Sequence, residues 1–461
     1  MNFVASHEIR SEFSALMSQM YREEVPLYGD LLELVNDINQ ITLIKDQKLN
    51  DQLKNTGEYE RLALERHGAI RLGTAEELST ISRIFAVMGM QPVGYYDLVP
   101  AGVPVHATAF RATTTEELNQ SPFRIFTSLL RLELIQDEKL RELAQQVLNA
   151  RQIFTPRALA LTAQFEQQGG LTQKEAQAFV QEVLETFRWH KEAPVTHELY
   201  EELLNQHRLI ADVVAFKGPH INHLTPRTLD IDMIQHGMAS RGITAKAVIE
   251  GPPRRRCPIL LRQTSFKALN EQVQFKNDVR GSHTARFGEI EQRGIALTPK
   301  GRRLYDQLLN QTRAELGGAP TEANAKQYMR ILEKNFSNFP DSYEELRQQG
   351  LAYFHYYPVG QTEIDTPLNE SHLDQLIHEG AMHFEPIVYE DFLPVSAAGI
   401  FQSNLGADHQ THYSSCSNQE LFEKCLGKRV LSELELYDQA QKKSLQKALT
   451  ALQKNITVNH S

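Results

Sequence analysis

Two stretches of this chain follow the same order of sequence signals, and each begins at a histidine on a predicted strand. The first runs from His67 through a predicted helix to Gly89, and the second runs from His223 through a predicted helix to Gly242. In both stretches the glycine is followed by a strand, a proline-containing turn and another strand. Self-similarity at this scale indicates a duplicated supersecondary unit. The repeat predicts two βαβββ modules that form one open, curved sheet, with both histidines facing one cavity.

Helical segments flank the predicted modules, so we expect an α+β fold. Apolar residues recur at three- to four-residue spacing in 1–64, which predicts a helical lead-in. We place the modules at 65–135 and 211–295, with a polar helical insertion at 136–210 between them. Residues 296–461 are predicted to be a mixed α/β region that completes the site.

Local signals define individual elements within this plan. Thr74 is a predicted N-cap with Glu77 at the capping-box position, so a helix should begin there. Strands are predicted at 244–250, where the second module continues after its helix, and at 351–357 and 386–392 in the C-terminal region.

Composition argues against several classes of protein. The net charge of −10 disfavours a general nucleic-acid binder, and the short basic run at 254–256 is interpreted as a solvated turn. No window approaches the roughly 18 uninterrupted apolar residues of a membrane span, and the first residues lack the features of a secretory signal. Cys257, Cys416 and Cys425 do not suggest a disulfide framework in a chain this long, so a reducing cytoplasm is expected. No GxGxxG, Walker or GxSxG motif occurs.

Two histidines and a carboxylate on predicted strands indicate a metal centre. Taken singly, His67 could be a surface or capping residue and His223 a core residue, but the repeat puts them at equivalent positions. Glu289 and Glu291 share one face of a strand because strand side chains alternate, and a buried carboxylate pair is costly without a cation. Two imidazoles and one carboxylate are the donor set of non-heme Fe(II) sites with open positions for substrate and O2. The residues alone leave open which glutamate is the ligand.

Arg71 lies four residues after His67 and therefore on the same face of the predicted strand. A guanidinium binds carboxylates bidentately, so Arg71 indicates a dicarboxylic substrate. A salt bridge to a structural acid is the alternative. His220 precedes His223 by three residues, so on a strand it should point the opposite way.

Two other groups of possible ligands have weaker spacing. One loosely resembles a zinc site but lacks a CxxC pair, and it comprises His409, His412, Cys416 and Cys425. The other is interpreted as a solvated helical face, and it comprises His372, His378, His383 and Glu385.

Residues 220–232 and 287–294 resemble the 2-oxoadipate dioxygenase/decarboxylase family of the vicinal oxygen chelate superfamily. Its metal site is similar to those of 4-hydroxyphenylpyruvate dioxygenase and hydroxymandelate synthase, whose metal carboxylate lies in a Phe-x-Glu-[Ile/Val]-x-Gln-Arg strand. Matching that strand here assigns the ligand to Glu289, with Glu291 in a position that those enzymes fill with an apolar residue.

The resemblance implies a vicinal oxygen chelate-like fold and an Fe(II)-dependent enzyme. The implied reaction converts 2-oxoadipate and O2 to 2-hydroxyglutarate and CO2, a step of lysine breakdown. A metal-dependent lyase or isomerase and a metal-free ligand-binding protein are the alternatives on the same scaffold, and the oligomeric state is not predicted. The implied site consists of the metal ligands His67, His223 and Glu289, the catalytic Arg71, and substrate contacts at His67, Arg71, Val395 and Ser396.

Overall fold

The computed structural model describes residues 2–318, 320–321, 323–360, 368–393 and 418–457, and the side chains of Ala285 and of 454–457 are not described. Val395, Ser396 and the histidine and cysteine positions 409, 412 and 416 therefore lie outside the described residues. Within the described ranges the chain has the mixed α+β composition that was predicted.

The helices occur mainly in three groups, before, between and after the strands that carry the site. They are α1 Ser6–Glu24, α2 Pro26–Lys45, α3 Gln47–Thr56, α4 Glu58–Arg61, α5 Ala75–Val87, α6 Thr115–Gln120, α7 Glu138–Ala150, α8 Pro156–Gln168, α9 Gln173–Leu184, α10 His197–Gln206, α11 Arg208–Val214, α12 Ile231–Ser240, α13 Pro299–Leu316, α14 Ala325–Phe336, α15 Tyr343–Gln348, α16 Leu373–His378, α17 Gln419–Leu426 and α18 Glu433–Thr457. In the part of the chain that is described, no helix is both long and apolar enough to cross a membrane.

The strands are short and are grouped into one five-stranded sheet and three two-stranded pairings. They are β1 Arg66–Leu72, β2 Gln91–Asp97, β3 Val105–Arg111, β4 Phe123–Leu130, β5 Leu224–Pro226, β6 Leu261–Ser265, β7 Leu269–Gln274, β8 Arg280–Arg286, β9 Glu289–Arg293, β10 Phe354–Pro358 and β11 Met382–Pro386.

The five-stranded sheet has the order β2-β3-β4-β1-β5. Strand β1 is parallel to β4 and antiparallel to β5, and β3 is antiparallel to both β2 and β4. Strand β1 buries Ile70 and Leu72 on one face within an apolar cluster that also contains residues of α1, α2 and α5. Burying side chains of this size stabilises the fold by roughly 1.5–3 kcal/mol each. The opposite face of β1 carries His67 and Arg71, so these polar side chains point away from the apolar cluster that contains Ile70 and Leu72.

The sheet is extended beyond β5 through isolated bridges. Arg227 forms a parallel bridge with Glu291 of β9, and Thr228 N donates to Glu291 O at 2.7 Å. Strand β9 pairs antiparallel with β6. The predicted strand at 244–250 is wrong as a continuous element, because it forms only two bridges to 263 and 266 that are out of register with each other.

The hairpin β7-β8 lies between β6 and β9 in sequence and was not predicted. Its turn contains Asn277 and Asp278, and Asp278 adopts a positive φ of 60°. Asn and Asp tolerate this conformation, so they were the available sequence signal for the hairpin. The alternation of β7 is largely polar, which made the strand difficult to distinguish from a loop.

Two further local predictions have opposite outcomes. The helix start at Thr74 is confirmed, because Thr74 Oγ1 accepts from Glu77 N at 3.1 Å and the Glu77 carboxylate accepts from Thr74 N at 3.3 Å. The strand predicted at 386–392 is wrong as a continuous element, because β11 ends at Pro386 and the following residues bond instead to 294–296 through an isolated bridge between Ile295 and Val388.

Candidate metal centre

The structure brings His67, His223 and Glu289 together, although they lie on three different segments. Their potential ligand atoms all lie within 4.8 Å of one another, and all three side chains are buried. His67 lies on β1 directly opposite Thr225 of β5, while His223 immediately precedes β5. Glu289 is the first residue of β9. In the described ranges this is the one group of three such residues close enough to hold a metal ion.

Gly68 permits the close approach of the two histidine segments. A Cβ atom at this position would lie 2.6 Å from Ile221 Cδ1 and 3.1 Å from His223 O. The end of the Ile221 side chain can move, but the His223 carbonyl would have to shift to make room for a side chain at residue 68. The glycine that follows His67 therefore allows the His223 segment to lie close against β1.

Tyr21 of α1 holds the backbone of the other two ligand segments. Its hydroxyl lies 2.9 Å from Asn222 O and 2.7 Å from Phe287 O, and Phe287 N donates to Asn222 O at 3.2 Å. The ring of Phe287 stacks on His223, with 4.8 Å between ring centroids. The sequence placed Tyr21 only within the helical lead-in at 1–64, since nothing local indicates a contact across more than 200 residues.

The distances within the group fit a single bound cation. His67 Nε2 lies 3.0 Å from Glu289 Oε1. One ring nitrogen of His223 completes a set of three potential ligand atoms that lie within 4.8 Å of one another. Two ligand atoms at about 2.1 Å from one ion and at right angles to each other lie about 3 Å apart. The same 3.0 Å separation is also that of a hydrogen bond between His67 Nε2 and Glu289 Oε1.

Hydrogen bonds fix the orientation of Glu289 and His223. Glu289 Oε1 accepts from Gln263 Nε2 at 2.9 Å and from Thr225 Oγ1 at 3.0 Å. Thr225 Oγ1 also lies 2.9 Å from His223 Nδ1, which donates to it when the hydroxyl proton is directed at Glu289. Such contacts behind ligand side chains fix their orientation and the tautomer of the imidazole.

Glu291 lies on the other side of the His67 ring from Glu289. Its Oε2 atom is 2.9 Å from His67 Nδ1, and its carboxylate accepts from Arg293 Nε at 2.8 Å and Nη2 at 2.9 Å. The two glutamates share a strand face, as predicted from alternation, yet they contact opposite nitrogens of one imidazole.

Burial and neighbouring charges shift the pKa values of His67 and His223 in opposite directions. Burial lowers the pKa of His223 to about 4, which leaves its imidazole neutral. Burial also opposes the charge on His67, but Glu291 and Glu289 outweigh it and raise the His67 pKa. A neutral imidazole beside ionised carboxylates is the form in which these groups bind a divalent metal.

Glu291 is part of a larger group of buried ion pairs that we call the buried charge cluster. Its members, among the described residues, are joined by salt bridges, and the negative charges of its glutamates equal the positive charges of its arginines. They are Glu58, Glu65, Glu291, Glu390, Arg61, Arg124, Arg227 and Arg293. The cluster borders the metal centre through the contact between Glu291 and His67.

We expect acid to destabilise the protein through this cluster. Burial opposes ionisation, but Arg61 and Arg124 lower the pKa of Glu390 to about 2, and Arg293 and His67 lower the pKa of Glu291 to about 2. The usual glutamate pKa is 4.5. The stabilisation is therefore complete above about pH 4.5 and is lost as the pH falls towards 2. Urea unfolding from about pH 6 to about pH 3 should show a falling free energy of unfolding, and a flat profile would contradict it.

Arg71 is buried on the same face of β1 as His67 and is paired with a protein acid. Its Nη1 atom donates to Asp212 Oδ2 at 2.5 Å. The segment at 219–223 is not a strand, so the alternation argument for His220 does not apply. Instead, His220 Nε2 lies 3.3 Å from Asp212 Oδ1, in the same group as Arg71.

The second group of possible ligands does not form a metal site in the described residues. His383 Nε2 contacts Glu385 Oε1 at 2.7 Å, but this pair is partly exposed on β11. His372 Nδ1 accepts from Asn369 N at the start of a short helical turn. Cys257 is buried and free.

Comparison with known proteins assigns the family. A family model described as 2-oxoadipate dioxygenase/decarboxylase matches residues 13–404. A relative of that name from Pseudomonas putida is 63% identical over 455 residues, covering 98% of each chain. Another from Mycobacterium tuberculosis is 40% identical over 413 residues, covering 88% of each chain.

Solved structures agree with this assignment. The crystal structure of hydroxyglutarate synthase from Pseudomonas putida in complex with 2-oxoadipate has a TM-score of 0.91 and 60% identity, covering 98% of this chain and 100% of that chain. A crystal structure of a protein from Shigella flexneri has a TM-score of 0.86 and 52% identity, covering 96% of this chain and 99% of that chain. The chain belongs to the 2-oxoadipate dioxygenase/decarboxylase family.

Proposed function

We propose that this protein is an Fe(II)-dependent dioxygenase that converts 2-oxoadipate and O2 to 2-hydroxyglutarate and CO2. Family membership, with identity to curated relatives across nearly the whole chain, supports the reaction and the substrate. The observation that carries the metal assignment is the buried group of His67, His223 and Glu289, with 3.0 Å between His67 Nε2 and Glu289 Oε1.

The donor set fits Fe(II) with open coordination positions. Two imidazoles and one carboxylate form the set used by non-heme iron oxygenases. His67 would bind through Nε2, because Glu291 engages its Nδ1 atom. His223 would likewise bind through Nε2, because its Nδ1 atom contacts Thr225. In this assignment Glu289 is the ligand, and Glu291 orients His67.

The bound ion would supply the O2 chemistry and hold the carboxylate and keto oxygen of the 2-oxo acid. The protein side chains would orient the substrate and restrict water. Phe392 packs edge-on against His67 with 4.9 Å between centroids, and Phe126 packs against Phe392 at 5.3 Å. These rings form an apolar wall beside His67, which strengthens electrostatic contacts in the site.

Arg71 would bind the second carboxylate of the substrate. It lies four residues from His67 on the same strand face, a Cα separation of about 13 Å in an extended strand. An arginine side chain and a six-carbon diacid held at the metal can together span that distance. The loop that contains Val395 and Ser396 is proposed to contact substrate as well, from the family resemblance alone.

We also infer that the fold is a duplicated βαβββ module of the vicinal oxygen chelate type, with modules at 65–135 and 211–295. The inference is supported by the order in which strands pair, which is the same in both proposed modules. In the first half β1 is parallel to β4, which is followed by β3 and β2. In the second half β5 is continued by a parallel bridge to β9, which is followed by β6 and 244–250.

The direct test is an oxygen-electrode assay of metal-free protein before and after Fe(II) addition. We expect O2 uptake only with Fe(II) and 2-oxoadipate, with equal amounts of O2 consumed, CO2 released and 2-hydroxyglutarate formed. Turnover of 2-oxoadipate without O2 would instead support a metal-dependent lyase. Protein that binds the diacid equally well without any metal would contradict the proposed centre.

A further inference from the structure

We propose that Asp212, held in place by His283 and Tyr200, fixes Arg71 in position and thereby selects the length of the diacid that this site accepts. We call Arg71, Asp212, His283 and Tyr200 the Asp212 cluster. The inference rests on the proposed role of Arg71 in binding the second carboxylate, and it assigns positioning roles to three residues outside the metal centre.

The contact between Arg71 and Asp212 fixes the direction of the guanidinium. Arg71 Nη1 donates to Asp212 Oδ2 at 2.5 Å, and both side chains are buried. The donors of a guanidinium are held in one rigid plane, so anchoring one nitrogen sets the direction of the others. An unanchored arginine would instead sample many rotamers and could follow carboxylates at different distances.

His283 holds the other oxygen of Asp212. His283 Nε2 lies 2.8 Å from Asp212 Oδ1, and its Nδ1 atom lies 3.0 Å from the Tyr200 hydroxyl. An ionised carboxylate only accepts hydrogen bonds, so Nε2 carries the proton, and in a neutral ring Nδ1 accepts from Tyr200. Burial opposes ionisation of Asp212, but Arg71 and His220 lower its pKa well below the usual value.

Aromatic rings enclose the cluster and keep its contacts strong. Phe216 lies 4.8 Å from the His283 ring, and Trp189 packs edge-on against His220 at 4.6 Å between centroids. Hydrogen bonds in such a low-dielectric setting are stronger and more costly to leave unmade. Asp212 is therefore held on both oxygens, and its position is transmitted to Arg71.

Only Arg71 of the cluster lies on a strand that carries a proposed metal ligand, and the other three residues come from different elements. Asp212 comes from α11, and Tyr200 comes from α10, both in the helical segment that precedes β5. His283 comes from β8, in the hairpin between β6 and β9. These elements place a rigid cationic group at a set distance from the metal ligands, so diacids that are too short or too long lose the contact.

The test measures binding of two diacids that differ by one methylene, 2-oxoadipate and 2-oxoglutarate. Calorimetry with Fe(II)-loaded protein under anaerobic conditions gives both dissociation constants without turnover. We expect the wild-type protein to prefer 2-oxoadipate. Asp212→Asn and His283→Leu should lower that preference about tenfold or more, because losing one hydrogen bond to a charged group weakens binding by about that factor.

Matched variants separate positioning from charge and from misfolding. Arg71→Ala should remove the advantage of 2-oxoadipate over 2-oxohexanoate, which lacks the second carboxylate. His283→Gln keeps an amide donor for Asp212 and should retain more of the length preference than His283→Leu. Asp341→Asn removes a carboxylate that accepts from Cys257 N, outside the cluster, and should keep the wild-type preference.

Two results would overturn the inference. One is an unchanged length preference in both Asp212→Asn and His283→Leu. The other is tighter binding of both diacids by Asp212→Asn with the same preference, which would make Asp212 a competitor of the substrate rather than a support for Arg71. Because O2 is absent, these outcomes are independent of whether the wild-type protein consumes O2 with 2-oxoadipate.

Discussion

Replacing Glu289 with alanine is expected to remove bound iron and to abolish O2 uptake with 2-oxoadipate. The carboxylate is the one anionic ligand of the proposed centre, and without it two imidazoles remain to hold a divalent ion at a buried position. Gln263 and Thr225 would also lose their shared acceptor. Iron content of Fe(II)-reconstituted protein, measured together with O2 uptake, checks this expectation, and circular dichroism shows whether the variant is folded.

Glu291→Gln is the matched control, because it changes the other acid of the same strand face. Its amide group can still contact His67 Nδ1, while the charge that Arg293 contacts is lost. We expect iron affinity to fall by about 10- to 100-fold rather than to vanish, as is typical when a group behind a ligand is changed. Full iron binding by Glu289→Ala together with its loss in Glu291→Gln would reverse the assignment of the two glutamates.

The second large effect is expected for Glu65→Ala, which should destabilise the protein by about 3–5 kcal/mol. Glu65 accepts from Arg124 Nη2 at 2.7 Å and from Arg61 Nε and Arg227 Nη1 at 3.2 Å each, all in the interior. Removing the anion takes one carboxylate from three buried guanidiniums and leaves the cluster with an uncompensated positive charge, although Arg61 and Arg124 keep Glu390 and Arg227 keeps Glu58. The expected loss is a large part of the 5–15 kcal/mol that usually stabilises a folded protein, so the variant should unfold at much lower urea concentration.

An exposed ion pair supplies the control for this experiment. Glu166 is bound by Arg83 at 2.6 Å, but both side chains are about half exposed. Exposed pairs contribute about 0–1 kcal/mol, so Glu166→Gln should change the urea midpoint little. Similar midpoints for the two variants would contradict a structural role of the buried charge cluster.

The sequence predicted that His67, His223 and Glu289 come together, because their signals are local and repeated. His67 and His223 occur at matching points of two similar stretches, and alternation placed Glu289 and Glu291 on one face. Strand alternation could not tell the two glutamates apart, since the difference depends on which nitrogen of His67 each one contacts. The helix start at Thr74 was also predictable, because a capping box involves residues only three positions apart.

The partners of these residues were not predictable for the opposite reason. Glu65 contacts Arg124, which is 59 residues away in the sequence, and Arg71 contacts Asp212 at a separation of 141 residues. Nothing near Glu65 distinguishes it from a surface acid. Asp212 did carry a signal, because it is a single acid within an apolar helix whose neighbours Ala211 and Val213 are buried, and such an acid usually has a partner in the interior.

The seam between the two halves of the sheet has a thermodynamic consequence. Strands β1 and β5 share only three residue pairs, and one of them joins His67 to Thr225. The proposed iron ligands lie on both sides of this junction, so the free energy of iron binding also opposes separation of the halves. Iron would therefore act as a cross-link across this short junction, and loss of the ion would loosen the contact between β1 and β5.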